Sequence, residues 1–316
     1  MNYQNTIERI AEKLIENTSY KYQNTVIVGN NSAGKSDLLN RILEKKADDI
    51  YFIDAINRKV NTGIITDNTK NIHWREVIEE RKNKANFNQR DTFGNGSITI
   101  ESVLYKYQEK IGHIFYEFTK KKFTIVRQTN GFVDDYIVRI DDNVIDGIEN
   151  RLSNGYQALI RIFAELIFYE DDAGEGKKLI LIEEIDKFLA LEFQNRILEF
   201  LIMYFPAFHF VVSTHSIHVV AGTSNCNIIV LGKGQYELYD SNDFDSIALA
   251  DNIFERLETL DTETDSMEER LKILLNHKIQ SSWSVAEDEI WNNIKIEDLT
   301  PIELLLYRTI KGWNYE

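Results

Sequence analysis

The chain has 316 residues, room for one large domain or one domain with a helical appendage, and its 43% hydrophobic and 28% charged residues fit a soluble globular protein. Its 36 basic and 51 acidic side chains leave a net charge of −15, which repels a phosphate backbone at long range, so charge does not indicate a nucleic-acid partner. A single cysteine, Cys226, excludes an internal disulfide, residues 1–20 lack a leader-like apolar segment, and no run of about 18 apolar residues offers a membrane span, so a reducing cytoplasm is the expected compartment.

Residues 7–15 (IERIAEKLI) place apolar side chains at helical spacing, and 25–28 (TVIV) are a β-branched run ending in glycine, the pattern of a buried strand. A helix is predicted over 37–45, a strand over 50–53, and loops around one helix (74–84) between 61 and 97. Helical spacing returns over 98–118, and 123–126 with 136–140 predict a hairpin. Then come a long helix (153–168), a buried strand (179–182), a helix (191–205) and another buried strand (208–212). A second hairpin pairs 228–231 with 236–239, and beyond Asn252 the pattern is helical. Buried strands alternating with helices predict an α/β core with a mostly parallel sheet. The predicted organisation is a core domain over 1–240, with a helical and hairpin lid insertion over about 61–150, and a helical extension over 241–316.

Gly29, Asn30, Asn31, Ser32, Ala33, Gly34, Lys35 and Ser36 match G-x-x-x-x-G-K-[ST] at every fixed position, between a predicted strand and a helix opened by Asp37. In that setting backbone N–H groups point at phosphate, Lys35 brings charge to the β- and γ-phosphates, and the Ser36 hydroxyl can bind Mg²⁺. These residues and Asp37 form the predicted nucleotide site. The strand 179–182 ends in Glu183 and Glu184, where one acid can reach the Mg²⁺ shell and the other can polarise a water for in-line attack. Ligands of open α/β sheets bind at strand carboxyl ends, in agreement with that placement. Leu152-Ser153-Asn154-Gly155-Tyr156-Gln157 opens a helix and reads either as an ordinary N-cap or as a second anion site serving the nucleotide of another copy. His215, in the strand end 211–216 (VVSTHS), reads either as structural or as a sensor of the γ-phosphate. Lys106, Lys110, Lys120, Lys121, Lys122 and Arg127 among aromatics read as a solvated face or a binding strip, and Trp283, Trp291 and Trp313 as core.

The order of these motifs resembles that of the ABC ATPases, in particular the soluble OLD-type ATP-binding proteins. The resemblance covers about residues 25–231 and implies a P-loop NTPase with an ABC-type ATPase core that binds ATP with Mg²⁺. It implies Glu184 as catalytic base, His215 as switch histidine, Ser36 and Glu183 as metal ligands, and Ser153, Asn154, Gly155 and Gln157 as contacts to the nucleotide of a twin in a homodimer. A lid glutamine is expected between the two motifs, with Gln89 preferred and Gln108 or Gln128 as alternatives; an adenine-stacking aromatic is unassigned, Tyr20 and Tyr22 being candidates. Glu183 stands where the family usually has aspartate. The stretch between Ser36 and Leu152 is too short for a long coiled-coil arm beside the domain's own elements. The implied role is an ATP-driven switch in bacterial antiviral defence with a separate nuclease or toxin effector. A non-hydrolysing scaffold, a DNA-repair ATPase and a transporter subunit are the alternatives.

Overall fold

The computed structural model describes residues 3–16, 20–46, 49–67, 73–83, 87, 88, 91, 93, 100–130, 133–145, 152–174, 178–232 and 235–263, single positions between 267 and 296, and 299–312. The chain forms two compact units, residues 1–257 and 258–316.

The first unit opens with α1 (Tyr3–Glu16), whose Ile7, Ile10, Ala11 and Leu14 are buried. Strand β1 (Asn24–Gly29) leads into α2 (Lys35–Lys46), then β2 (Ile50–Ile53) and α3 (Trp74–Lys82). Next come α4 (Ile100–Lys106), α5 (Gln108–Thr119) and an antiparallel sheet of β3 (Phe123–Asn130), β4 (Val133–Ile140) and β5 (Asn143–Ile145). The 19-residue α6 (Asn154–Asp172) leads to β6 (Lys178–Ile182), α7 (Leu191–Gln194), α8 (Ile197–Tyr204) and β7 (Phe208–Thr214). The core closes with α9 (Ile217–Ala221), β8 (Cys226–Gly232), β9 (Gln235–Asp240) and α10 (Ile247–Glu263), whose residues from Glu258 on belong to the second unit.

The main sheet runs β2-β6-β7-β1-β8-β9, with only the last strand antiparallel to its neighbour. The expected mostly parallel α/β sheet is therefore what forms. Its central strands are apolar on both faces because both faces are covered: Val26–Val28, Ile180–Ile182 and Ile228–Ile229 are fully buried. The chain enters at β1, crosses to the β2 edge, fills the gap with β6 and β7, and then crosses to β8. The direction of winding thus reverses around β1, which opens a crevice at the carboxyl ends of the strands.

Two predicted helices are interrupted. The run over 98–118 breaks at Tyr107, whose hydroxyl bonds Asp171 on α6 at 2.5 Å. The run over 191–205 breaks at Asn195 and Arg196, where the Arg196 guanidinium donates to the Phe118 carbonyl and the Gln194 amide donates to Leu189 O at 2.8 Å. Each break coincides with a long-range contact, Tyr107 to Asp171 and Arg196 to Phe118, that local periodicity does not register.

In the second unit, α11 (Pro301–Lys311) starts from a capping box formed by Thr300 and Glu303. Leu271, Leu274 and Ile310 make its core, and Trp291, stacked on Tyr307 at 4.3 Å, packs against them. Trp283 and Trp313 lie outside the described residues. Among the described residues no helix is long and apolar enough to cross a membrane.

Candidate functional site

Strand β1 ends at Gly29, and the loop 30–34 feeds straight into the amino end of α2. Positive φ at Ser32 (66°) and Gly34 (100°) bends the loop into a concavity of the kind that gathers backbone N–H groups around an anion. Gly34 suits its place by its φ, and a Cβ there would stand 2.1 Å from the Tyr3 hydroxyl and require that side chain to move. Lys35 is only 7% exposed, and its Nζ donates to Gly29 O at 2.7 Å and Asn30 O at 3.0 Å, the carbonyls of its own loop.

Strand β6 delivers the two acids to the neighbouring crevice. Glu183 is 3% exposed. One of its carboxylate oxygens accepts the Ser36 hydroxyl and the other accepts the Asn88 amide. Its backbone is clamped as well, the N–H donating to Ile53 O at 2.9 Å and the carbonyl accepting from Arg58 Nη2 at 2.8 Å. Burial pushes the Glu183 carboxyl above its ordinary pKa, and the hydrogen bonds from Ser36 and Asn88 offset this only in part. Glu184 turns the other way. It takes a left-handed φ of 46°, its N–H donates to Ser213 Oγ at 3.0 Å, and its carboxylate pairs with Lys187 at 2.8 Å.

Strand β7 lies between β1 and β6 and carries His215 to the same level. The Thr214 hydroxyl bonds Asp186, and the Ser216 hydroxyl bonds Gln194 at 2.6 Å, so the backbone is held on both sides of the imidazole. His215 is exposed at its rim, yet desolvation on its cleft side, followed by the Lys35 ammonium, lowers its pKa; Asp186 and Glu184 counter this only in part. The shift favours the neutral ring, which has one N–H donor and one acceptor.

Three strand ends thus meet in one cleft of 280 Å³, lined by Asn31, Ser32, Gly34, Lys35, Ser36, Asp37, Glu183, Glu184, Ser213 and His215. Gly29, Asn30 and Ala33 belong to the same motif but do not line the cleft, Gly29 and Ala33 being buried and Asn30 exposed. The Ser36 hydroxyl and the Glu183 carboxylate are hard oxygen donors side by side, a pair that suits Mg²⁺, which takes one or two protein oxygens and completes its shell with phosphate and water. The longer side chain of Glu183, where aspartate is usual, still reaches Ser36 directly.

The helix-opening motif does not line this cleft. Ser153 caps α6, its hydroxyl accepting the Tyr156 N–H at 3.3 Å, and Ser153 and Asn154 are exposed. Gly155 lies against the acid turn: a Cβ there would stand 3.0 Å from Phe188 O. Gln157 faces its own chain, donating to Leu152 O at 2.7 Å and accepting from Val60 N–H at 3.3 Å.

Gln89 lies outside the described residues, Gln108 opens α5 and Gln128 sits on β3. The neighbour of Gln89, Asn88, is the amide on Glu183, and its Oδ1 also accepts the Ala55 N–H at 3.4 Å. Sequence reasoning missed it by looking for glutamine; the asparagine-rich stretch 83–95 was the available signal. Tyr20 and Tyr22 precede the amino end of β1, a strand length of about 20 Å from the loop. The aromatic beside the loop is Tyr3, whose hydroxyl donates to Asp37 at 2.6 Å. It arrives there because α1 and α2 run side by side in the same direction, joined by Glu8 to Arg41 and Lys45 and by Glu12 to Lys45.

In the basic strip, Lys106, Lys120, Lys121 and Arg127 pair with Asp171, Glu117, Asp141 and Asp67 at 3.5, 3.3, 3.0 and 3.2 Å, the arrangement of a solvated face.

No protein-family model matches the chain, and no curated protein does. Solved structures do. An SMC head domain from Thermotoga maritima is 15% identical over 69% of this chain and 90% of its own, with a TM-score of 0.37. The cbiO1 protein of Clostridium perfringens, part of the ABC transporter complex cbiONQ, is 12% identical over 77% and 88%, with a TM-score of 0.36. A metal-chelate type ABC transporter in an inward-facing conformation is 17% identical over 74% and 78%, with a TM-score of 0.36. At these scores the likeness by itself decides nothing about activity, and the weight falls on the cleft.

Proposed function

We propose that the chain is an ABC-type ATPase that binds ATP with Mg²⁺ in this cleft and hydrolyses it as a homodimer. One observation carries the reading: Lys35, Ser36, Glu183, Glu184 and His215, drawn from three strand ends, share a single polar cleft at the phosphate-binding loop. The loop N–H groups and Lys35 hold the β- and γ-phosphates. Ser36 and Glu183 hold Mg²⁺, which when bound neutralises phosphate charge, and Asn88 fixes the Glu183 carboxylate. Glu184, free of the Ser36 bond, orients the attacking water and takes its proton as the water oxygen bonds the γ-phosphorus and the bond from that phosphorus to the bridging oxygen breaks, its electron pair leaving with ADP. His215 donates a hydrogen bond from its ring N–H to the γ-phosphate. Ser153 and Asn154 at the amino end of α6 are exposed and do not line this cleft, which supports their serving as an anion site for the nucleotide of another copy. Ser153 and Gly155 of the partner copy complete the site.

The resemblance further suggests service in antiviral defence beside a separate nuclease or toxin. The test is phosphate release with Glu184→Gln. That variant retains ATP, accumulates as a dimer on light-scattering chromatography and loses turnover. Normal turnover by Glu184→Gln refutes the assignment of the base.

A further inference from the structure

The turn that presents Glu184 carries a cation that this mechanism leaves unused. Lys187 Nζ lies 2.8 Å from Glu184 Oε2, and each side chain is 32% exposed. The backbone around the pair is pinned. Glu184 N–H and Ile185 N–H bond Ser213 Oγ and O, each at 3.0 Å, Lys187 N–H returns to Glu184 O at 2.9 Å, and Asp186 is held by Thr214. Glu184 (φ 46°) and Phe188 (φ 67°) bracket the turn in left-handed conformations, which non-glycine residues keep only where the surroundings impose them. The main chain of the turn is therefore fixed, and the freedom left is in the two side chains.

We propose that Lys187 is a positioning residue that restrains Glu184 until a triphosphate occupies the cleft, the terminal phosphate then drawing the ammonium off the carboxylate. The proposal rests on Glu184 being the base. An ammonium at hydrogen-bond distance occupies a carboxylate lone pair and weakens the oxygen as an acceptor for the attacking water. A partly exposed pair of this kind holds weakly, which suits a contact that opens in every turnover. Lys35 is arranged in parallel, its Nζ on the neutral carbonyls of Gly29 and Asn30, acceptors that a phosphate outcompetes. Lys187 does not itself line the cleft; it reaches it through Glu184, which does.

The test is steady-state ATP turnover by the full chain at saturating Mg-ATP, comparing wild type, Lys187→Ala, Lys187→Arg and Glu184→Gln, with thermal unfolding as a folding control. Lys187→Ala raises kcat about two- to five-fold, the range set by a half-exposed ion pair, while KM for ATP stays within about two-fold. Lys187→Arg, which keeps the charge, brings kcat back down. Added salt, which screens the pair, raises wild-type kcat toward the Lys187→Ala value and leaves Lys187→Ala unmoved. A Lys187→Ala kcat at or below wild type overturns the proposal, as does a KM raised about ten-fold, which makes Lys187 a phosphate ligand instead. Turnover by wild type, its loss in Glu184→Gln and no change in Lys187→Ala sink the restraint alone. No turnover by wild type or Lys187→Ala sinks the hydrolytic reading and the restraint with it.

Discussion

Replacing Glu165 by Gln removes the one carboxylate shared by two buried guanidinium groups. Glu165 and Arg161 are fully buried on α6, and Arg81 of α3 is 1% exposed. The carboxylate meets Arg81 at 2.7 and 3.0 Å, Arg161 at 2.6 Å and the Tyr51 hydroxyl at 2.9 Å. Breaking a buried ion pair by removing one partner costs about 3–5 kcal/mol where the other charge is left uncompensated; Asp54, 3.6 Å from Arg81, and Asp91, 3.0 Å from Arg161, remain, which places Glu165→Gln toward the lower end. The pKa of the carboxyl points the same way. Burial would raise it, but Arg81 and Arg161 outweigh burial and hold it at about 2 against an ordinary 4.5. At about 1.4 kcal/mol per pH unit, that gap corresponds to on the order of 3 kcal/mol. Because the folded value is the lower one, the contribution is fully present above about pH 4.5 and fades as pH falls toward 2. Thermal unfolding followed by circular dichroism should place Glu165→Gln about 6–20 °C below wild type at pH 7. Between pH 4.5 and pH 3 the gap should narrow, since wild type is then losing what the variant never had. A drop of less than about 2 °C, or an unchanged gap on acidification, would falsify the view that this carboxylate neutralises the buried arginines.

Three further outcomes follow from the site. Asn88→Ala leaves one Glu183 oxygen without its amide and should raise the Mg²⁺ concentration needed for half-maximal turnover about ten-fold, read from a metal titration of ATPase rate. Gly155→Ala brings a methyl group to 3.0 Å from Phe188 O and crowds the acid turn; kcat should fall about ten-fold with thermal unfolding unchanged, and a matching loss of thermal stability would point to simple misfolding. Cys226 is buried, and burial raises its pKa to about 12, so thiol reagents should leave it unlabelled at pH 8 until denaturant unfolds the core.

The sequence by itself determined the parallel α/β core and the phosphate-binding loop, because both are local. A β-branched run, a glycine-bounded loop and an amphipathic helix follow one another within 25–45, and the acids and His215 each sit at the end of an apolar run. Tertiary structure alone decided what stands around them. Asn88 reaches Glu183 across a chain separation of 95 residues, and Tyr3 reaches Asp37 because two helices pack side by side. Gly155 owes its lack of a side chain to the nearness of Phe188, and two predicted helices break where Tyr107 and Arg196 reach distant partners. Periodicity records how a residue relates to its neighbours along the chain. Burial of Arg58 and Arg81 depends on counter-charges and carbonyls delivered from elsewhere in the fold, and that no window of local sequence contains.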